Sequence, residues 1–398
     1  MLIILLLLAF YIYQPDIERW IFVNELFSLI GFVLFLFSLA KGIKKNNSLE
    51  ILVLILIIYS GFHLIISIPF RHNNYIYFRH TCILYSMFSF FLGSYLYKWK
   101  FRFINIFKYS ALVVFLSNTF SVLFIGMKTT IGIFFSAVIS RKKIINKIIF
   151  VMLSIWAIIF FGLSNTITIS FFTVTLFLFL RSYKLLFTAL IILSISIVIG
   201  LNIVNPYLAE IYRTQQGFWI SGQISSFGEV GQQLGAIESQ TNIDNILPRI
   251  ILWHQAVIEN YPHNLFGLGF GTSIFPYPEH LPFFPSYATA DNFDIYTHIH
   301  MMGAHNSFIT LFARLGIIFL IIIGLIYYKL FKFADKYYNY IVETKDIVFF
   351  ILFFMISCIA FFNVVLESPI HASLYWISLG LCSQSINKTM FIHEFGKS

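Results

Sequence analysis

A polar segment, residues 205–304, interrupts a chain that is otherwise an almost continuous series of apolar runs. Hydrophobic residues make up 59% of the 398 residues and charged residues only 11%, whereas soluble domains average about 25% charged residues. The composition therefore predicts an integral membrane protein. Because a membrane span needs no polar residues, the polar segment calls for a chemical or binding role.

Twelve apolar runs predict twelve transmembrane helices, since a helical span needs about 20 residues. They lie near residues 2–14, 20–40, 50–69, 80–97, 103–124, 127–140, 147–163, 166–180, 185–204, 305–327, 347–365 and 371–386. The first run lacks the basic start and the cleavage site of a signal peptide, and we interpret it as a span that extends toward Asp16. The expected fold is all-α, with nine spans in 1–204, the polar loop 205–304, and three spans with a tail in 305–398.

The loops between the predicted spans fall into two alternating sets that differ in basic residues. One set contains 19 of the 26 lysines and arginines: Lys41, Lys44, Lys45, Lys98, Lys100, Arg102, Lys108, Arg141, Lys142, Lys143, Lys147, Arg181, Lys184, Lys329, Lys332, Lys336, Lys345, Lys388 and Lys397. The other set contains the remaining seven: Arg19, Arg71, Arg79, Lys128, Arg213, Arg249 and Arg314. Because basic residues near span ends are retained in the cytoplasm, both termini are expected in the cytoplasm and the polar loop outside it. This asymmetry accounts for the net charge of +9 without a nucleic-acid partner.

A short helix is predicted within the polar loop. Pro248 suits the first helical position because its missing N–H would be unpaired there anyway. Trp253 and Val257 recur at helical spacing, and Pro262 ends the run. One interpretation is an amphipathic helix that is anchored at the membrane surface by an interfacial tryptophan. The other is that Arg249 faces a phosphate group, which its fork of N–H donors suits well.

A glycine-rich stretch and a histidine follow this helix. Gly267-Leu268-Gly269-Phe270-Gly271 has no strand before it and no crossover after it, so it predicts a turn in which the backbone approaches another group closely, not a dinucleotide site. His305-Asn306 opens the tenth span. A histidine at a helix start is ordinarily structural. This one borders the polar loop and shares its helix with Arg314, so it is also a candidate to hold or deprotonate a hydroxyl nucleophile.

Three further groups admit plainer interpretations beside functional ones. Glu367 in the last outer loop is either solvated at the interface or, if it points into the bundle, an acid, base or counter-ion. The outer basic cluster is either a solvated loop or part of a lipid-phosphate site, and it consists of Arg71, His72, Arg79 and His80. The spacing of His298, His300 and His305 matches no usual zinc pattern, so we expect no metal. The cysteines Cys82, Cys358 and Cys382 fall in predicted spans, and we expect no disulfide framework.

These features together resemble the O-antigen polymerase and ligase superfamily of bacterial envelope biogenesis. The shared pattern is a polytopic protein with a large outer loop late in the chain, which carries a set of residues in a fixed order. In this chain they are Arg249, Trp253, Ala256, Pro262, Gly267, Gly269, His305, Asn306 and Gly316.

The resemblance implies a GT-C-like helical bundle in the bacterial inner membrane, acting at its periplasmic face on undecaprenyl-diphosphate-linked oligosaccharides. It implies no metal, no other cofactor and no nucleotide sugar, and it makes a chain-length regulator a candidate partner besides membrane lipids. Arg249 is expected to hold the diphosphate leaving group and His305 to lie near the acceptor hydroxyl, with Glu367 as the third catalytic candidate. Trp253 and Asn306 are expected to contact substrate.

One departure from the family pattern concerns a second cation. Ligase-like members often carry Ser-Arg-Gly at the outer start of a mid-chain span, where this chain has Leu163-Ser164-Asn165-Thr166. A second phosphate-binding cation must then come from elsewhere, and the candidates are Arg79, Lys128, Arg213 and Arg314.

Three functions follow from these patterns. A polymerase, which transfers a growing glycan to a lipid-linked repeat unit, is favoured because the runs after His305 and before Pro369 resemble those of polymerases. The main alternative is a ligase that transfers the finished glycan to lipid A-core. A transporter of lipid-linked sugars would place charged residues midway along spans and broken helices in matching halves. This chain instead concentrates its polar residues in one outer loop.

Overall fold

The computed structural model describes residues 23–40, 48–71, 74–100, 249, 252–275, 303–362, 365–367 and 371–395. Within these ranges the regular structure is helical and no strand occurs, in agreement with the predicted all-α class. Two helices in the described ranges, Ser48–Ile66 and Ser307–Lys336, are long and apolar enough to cross a membrane. The predicted spans that lie outside the described residues are 2–14, 103–124, 127–140, 147–163, 166–180 and 185–204.

The described α-helices are numbered here in chain order. They are α1 (Val23–Ala40), α2 (Ser48–Ile66), α3 (Asn74–His80), α4 (Cys82–Met87), α5 (Ser89–Leu96), α6 (Ser307–Lys336), α7 (Tyr338–Glu343), α8 (Ile347–Phe362) and α9 (Ala372–Phe395). Short 3-10 turns cover Ile68–Phe70, Tyr97–Trp99 and His263–Leu265, and a π-helical turn covers Gln255–Glu259.

Helices α1, α2, α6, α8 and α9 correspond to five of the predicted spans. The predicted span 80–97 is instead interrupted at Phe88, between α4 and α5. A Cβ atom on Gly31 of α1 would lie 2.2 Å from the carbonyl oxygen of Phe88, so the interruption sits where two backbones are in direct contact. Helix α6 continues to Lys336, beyond the predicted end of the span at 327. Lys329, Lys332 and Lys336, which were predicted in a loop, therefore lie in this helix.

The chain divides into two compact units. The described residues of the first, which we call the helix unit, are 23–40, 48–59, 82–100, 322–362, 365–367 and 371–395. Those of the second, which we call the loop unit, are 60–71, 74–81, 249, 252–275 and 303–321.

In the helix unit, α9 packs against α5, α1 and α8. Added Cβ atoms on Gly93 of α5 and Gly380 of α9 would each lie 2.1 Å from a carbonyl oxygen of the facing helix. Glycine at both positions therefore lets the two backbones touch, as small residues do between membrane helices. The hydroxyl of Ser28 on α1 hydrogen bonds with Ser89 (3.1 Å) and with Ser373 (3.3 Å), which adds polar links between the three helices.

A buried ion pair joins Lys100 and Asp346 in the helix unit. The Lys100 ammonium lies 2.7 Å from Asp346 Oδ1, and the hydroxyls of Tyr97 and Ser385 donate to Asp346 Oδ2 at 2.8 and 2.9 Å. Lys100 also donates to the carbonyl of Thr344. The Asp346 carboxylate therefore receives three donors, which offsets the penalty of burying its charge.

Candidate functional site

The glycine-rich turn of the loop unit packs against a break in helix α6. Gly316 has φ 75° and ψ −172°, which is not helical, so α6 is kinked there. Near this kink, the N–H groups of Leu268 and Gly269 donate to the carbonyls of Ala313 (2.8 Å) and Arg314 (2.9 Å). The turn thus supplies donors to carbonyls that a regular helix would pair with its own backbone.

The turn and the kink approach so closely that both require glycine. A Cβ atom on Gly267 (φ 91°) would lie 2.4 Å from the carbonyl oxygen of Arg314. A Cβ atom on Gly316 (φ 75°) would lie 2.5 Å from the carbonyl oxygen of Leu265. Both residues also adopt positive φ, which disfavours any side chain. The predicted close backbone approach at this turn is confirmed.

The other side of the turn contacts the end of α2 and helix α3. Ser67, just after α2, accepts a hydrogen bond from the N–H of Phe270 at 2.9 Å, and its Oγ would clash at 2.0 Å with a Cβ on Gly269. A Cβ on Gly271 would likewise lie 2.9 Å from the Cβ atoms of Arg71 and Tyr77. Arg71 of the outer basic cluster therefore packs directly against the glycine turn.

Arg314 joins the turn to α3. Its Nη1 donates to the carbonyls of Gly269 (3.3 Å) and Thr272 (3.1 Å), and its Nη2 donates to Nε2 of His80 at 2.9 Å. On the other side of the ring, Nδ1 of His80 lies 3.1 Å from the backbone nitrogen of Gly271, and a neutral imidazole accepts at only one of its two nitrogens. Arg314 is 1% exposed, so the guanidinium predicted to bind substrate lies buried with at least three of its donors engaged by the protein.

The structure brings Arg249 and His305 together. His305 lies in a bend directly before α6 and is half-buried. Burial lowers the pKa of its imidazole, and the positive charge of Arg249 lowers that pKa further. Burial also lowers the pKa of the Arg249 guanidinium. Burial and the nearby Arg249 charge therefore both favour the neutral form of the His305 imidazole.

The backbone of His305 is itself unusual. Its φ of 49° lies in the left-handed region, which histidine adopts more readily than most residues with a Cβ but still seldom. Such conformations persist where surrounding contacts fix them, and they are frequent at functional sites. Two contacts fix the backbone at this bend, one on each side of His305.

The first contact comes from Trp253. Its indole Nε1 donates to the carbonyl of Ala304 at 2.7 Å, directly before His305 in the chain. Trp253 is buried, at 8% exposure, so the structure does not fit an interfacial tryptophan that anchors an exposed helix. The N–H of Ala304 donates to the hydroxyl of Thr310, which fixes the same residue from its other side.

The second contact comes from Asn306, which caps α6. Its Oδ1 accepts hydrogen bonds from the N–H groups of Phe308 (3.0 Å) and Ile309 (3.1 Å). An asparagine in this position satisfies N–H groups that have no partner within the helix. Asn306 was predicted to bind substrate. It is 1% exposed, and its side-chain oxygen accepts the two hydrogen bonds of the helix cap.

The other predicted site residues are Glu367, Arg79, Arg213 and Lys128. Glu367 belongs to the helix unit, where it lies in a turn after α8 and its carbonyl accepts from the Cys82 thiol at 2.9 Å. Arg79 lies half-buried on α3 in the loop unit. Arg213 and Lys128, together with His298 and His300, lie outside the described residues.

One polar pair in the loop unit was not predicted from the sequence. Nδ1 of His254 and Oε1 of Glu259 are 3.1 Å apart. Residues five apart point about 140° away from each other around an α-helix, so helical periodicity argues against their contact. They meet because the π-helical turn Gln255–Glu259 widens the helix at this point.

Comparison with protein-family models, with curated proteins and with solved structures gives no match to this chain. Its function must therefore be inferred from the residues and their geometry.

Proposed function

We propose that this protein is a membrane glycosyltransferase of the O-antigen polymerase type. In this proposal it transfers a growing glycan from undecaprenyl diphosphate to a lipid-linked repeat unit at the periplasmic face of the bacterial inner membrane. The observation that carries the proposal is that Arg249 and the half-buried His305, at the end of the polar loop, lie near enough for the arginine charge to lower the pKa of the imidazole, in addition to burial.

These two side chains suit the two halves of a glycosyl transfer. The acceptor hydroxyl attacks the anomeric carbon, and its proton passes to the imidazole of His305, which accepts it only in the neutral form. The bond between the anomeric carbon and the diphosphate oxygen breaks with its electron pair, and the guanidinium of Arg249 meets the charge that develops on the diphosphate. No metal or other cofactor enters this step.

Trp253 and Asn306 support the same reaction from behind the site. Trp253 holds the peptide before His305, and Asn306 caps the helix after it. We therefore assign both residues to positioning His305, through the atoms that the structure shows engaged.

A diphosphate calls for more than one cation. Arg314 is engaged with His80 and with two carbonyl groups, which favours the other candidates as the second phosphate ligand. They are Arg79, Lys128 and Arg213.

The proposed multi-pass topology is supported by charge and by contacts within the helix unit. The hydroxyl of Tyr85 donates to Glu25 at 2.9 Å, and the charge distribution predicts both residues near the outer side. Lys100 and Asp346 pair at 2.7 Å, and both are predicted at the cytoplasmic side. Two helices long and apolar enough to span a membrane agree with this topology.

Deletion of the gene tests the proposal and separates a polymerase from a ligase. A polymerase predicts that the surface lipopolysaccharide of the deletion strain carries core with a single repeat unit. Bare core, with complete polymer retained on undecaprenyl diphosphate, would replace the proposal with a ligase. An unchanged polymer ladder would reject both.

A further inference from the structure

The π-helical turn Gln255–Glu259 of the loop unit is stabilised by polar side chains that follow it. Asn260 Nδ2 donates to the carbonyls of Gln255 (3.2 Å) and Ile274 (2.6 Å). Asn264 Nδ2 donates to the carbonyls of Ala256 (3.1 Å) and Val257 (2.6 Å). Widened turns of this kind leave backbone groups in need of partners and occur frequently at functional sites.

The turn brings His254 and Glu259 into a dyad. Because an ionised carboxylate only accepts hydrogen bonds, the hydrogen between them belongs to Nδ1 of His254. In the neutral ring Nε2 is then an acceptor with a fixed direction, as in other histidines oriented by a carboxylate. The side chain of His254 is only 5% exposed.

Among the buried polar atoms of this segment, His254 Nε2, Glu259 Oε2 and Asn264 Oδ1 have no hydrogen-bond partner in the residues that the structure describes. A buried polar atom without a partner is destabilising, so native structures supply one. Glu259 Oε2 and Asn264 Oδ1 accept hydrogen bonds, and so does His254 Nε2 when its ring is neutral. The group that satisfies them must therefore be a donor.

We propose that the His254–Glu259 dyad binds hydroxyl groups of a saccharide, with His254 Nε2 accepting from one of them. The negative charge of Glu259 disfavours a phosphate at this position, whereas a sugar offers several neutral donors on one small ring. The exposed rings of Tyr261 and Phe266 follow the turn and offer apolar faces on which a sugar ring can pack.

This inference rests on the proposed function, because that function supplies a glycan to the loop unit. The dyad differs from the Arg249–His305 site in kind. His254 takes no part in bond breaking and determines how tightly the acceptor glycan binds. Replacing His254 is therefore expected to raise KM and to leave kcat unchanged.

The test uses the full-length protein in detergent and the lipid-linked repeat unit that accumulates in the deletion strain. Replacing both members of the dyad by apolar residues of similar size, in the double variant H254F/E259M, removes His254 Nε2 and Glu259 Oε2 together. The fold is expected to persist, because replacing both partners of a buried hydrogen bond in this way is close to neutral. We expect KM for the repeat unit to rise about 5- to 10-fold, with kcat within about 2-fold, as the loss of one or two hydrogen bonds predicts.

Two further variants make the result decisive. H263F changes an exposed histidine of the following 3-10 turn and is expected to leave KM unchanged. E259Q keeps an acceptor for Nδ1 and is expected to raise KM less than the double variant does, with wild-type melting temperature. A wild-type KM in H254F/E259M, or a parallel fall in kcat and melting temperature in E259Q, would overturn the inference and leave the proposed function standing. If no lipid-linked repeat unit accumulates in the deletion strain, the proposed function fails and the saccharide assignment fails with it.

Discussion

The indole nitrogen of Trp253 donates a 2.7 Å hydrogen bond to the carbonyl oxygen of Ala304, the residue that precedes His305. Fifty-one positions separate the two residues in sequence, so this one bond ties the short helix of the polar loop to the start of α6. The bond fixes the peptide directly before His305, the residue that adopts the left-handed conformation. This bond gives a physical reason why Trp253 and His305 occur together in the sequence pattern.

We therefore expect W253F to weaken this bend without emptying the space that the ring fills. Loss of the donor leaves a buried carbonyl unpaired, which destabilises the fold by about 1–3 kcal/mol. The melting temperature of the purified protein should fall, and glycan transfer with it. W99F provides the matched control, because Trp99 is 43% exposed and should tolerate the change. Equal melting temperatures for the two variants would argue against the bond.

The cap of α6 separates a positioning role of Asn306 from direct substrate binding. N306A removes the Oδ1 acceptor of two N–H groups and should destabilise the protein by about 0.5–2 kcal/mol. N306D keeps the capping oxygen and should retain both stability and transfer activity. If N306D is as stable as the wild type but inactive, Asn306 contacts substrate through its amide nitrogen and the positioning role is insufficient.

Helix α6 contains a matched pair of glycines. Gly316 has positive φ and no room for a Cβ, whereas a Cβ added to Gly324 would have no neighbouring atom of the described residues within 4 Å. G316A should therefore prevent accumulation of folded protein in the membrane. G324A should be neutral or stabilising by up to about 1 kcal/mol, since alanine is the better helix former. Comparable expression of the two variants would mean that α6 is not kinked as described.

How far the sequence predicted this structure depends on the kind of contact. The apolar runs anticipated the positions of α1, α2, α6, α8 and α9, because hydropathy is a local property of the sequence. The glycine turn was recognisable because positive φ restricts residue type. The partner of that turn was not, since nothing in the sequence links Gly271 to His80 or Gly269 to Ser67.

The contacts of the candidate site show the same limit. Arg249 and His305 were predicted to act together from the resemblance, and the structure brings them close. Arg314 was predicted to face substrate, whereas its burial and its pairing with His80 depend on a helix more than two hundred positions earlier in the chain. The His254–Glu259 dyad contradicts α-helical spacing, and only the π-helical turn makes it possible.

The lowered pKa of His305 predicts how stability depends on pH. In the unfolded chain the imidazole has its ordinary pKa of about 6.5, and in the folded protein burial and Arg249 hold that pKa lower. As pH falls below about 6.5, the unfolded state binds the proton first, so the folded state loses stability until the pH passes the folded pKa. Above about 6.5 the effect vanishes.

Melting temperatures of the wild type and H305F, compared between pH 5 and 8, measure this effect. The wild type should lose stability relative to H305F as the pH falls below about 6.5. R249M removes the charge that lowers the pKa, so its loss of stability on acidification should be smaller. A difference between wild type and H305F that is independent of pH would contradict a buried neutral imidazole.

The buried ion pair of the helix unit provides a test that is independent of catalysis. D346N leaves the Lys100 ammonium buried with its charge uncompensated, and should destabilise the protein by about 3–5 kcal/mol. The double variant K100M/D346L removes both charges and should recover most of that loss. A double variant no more stable than D346N would show that the two residues are not coupled.

Polysaccharide banding of the deletion strain, complemented with variants of the two central residues, tests the account most directly. R249A and H305A, each present in the membrane at the wild-type level, should give lipopolysaccharide with core and a single repeat unit. H263A, which changes an exposed histidine of the same loop unit, should restore the full ladder. Full ladders from both R249A and H305A would contradict the assignment of this site to glycan transfer.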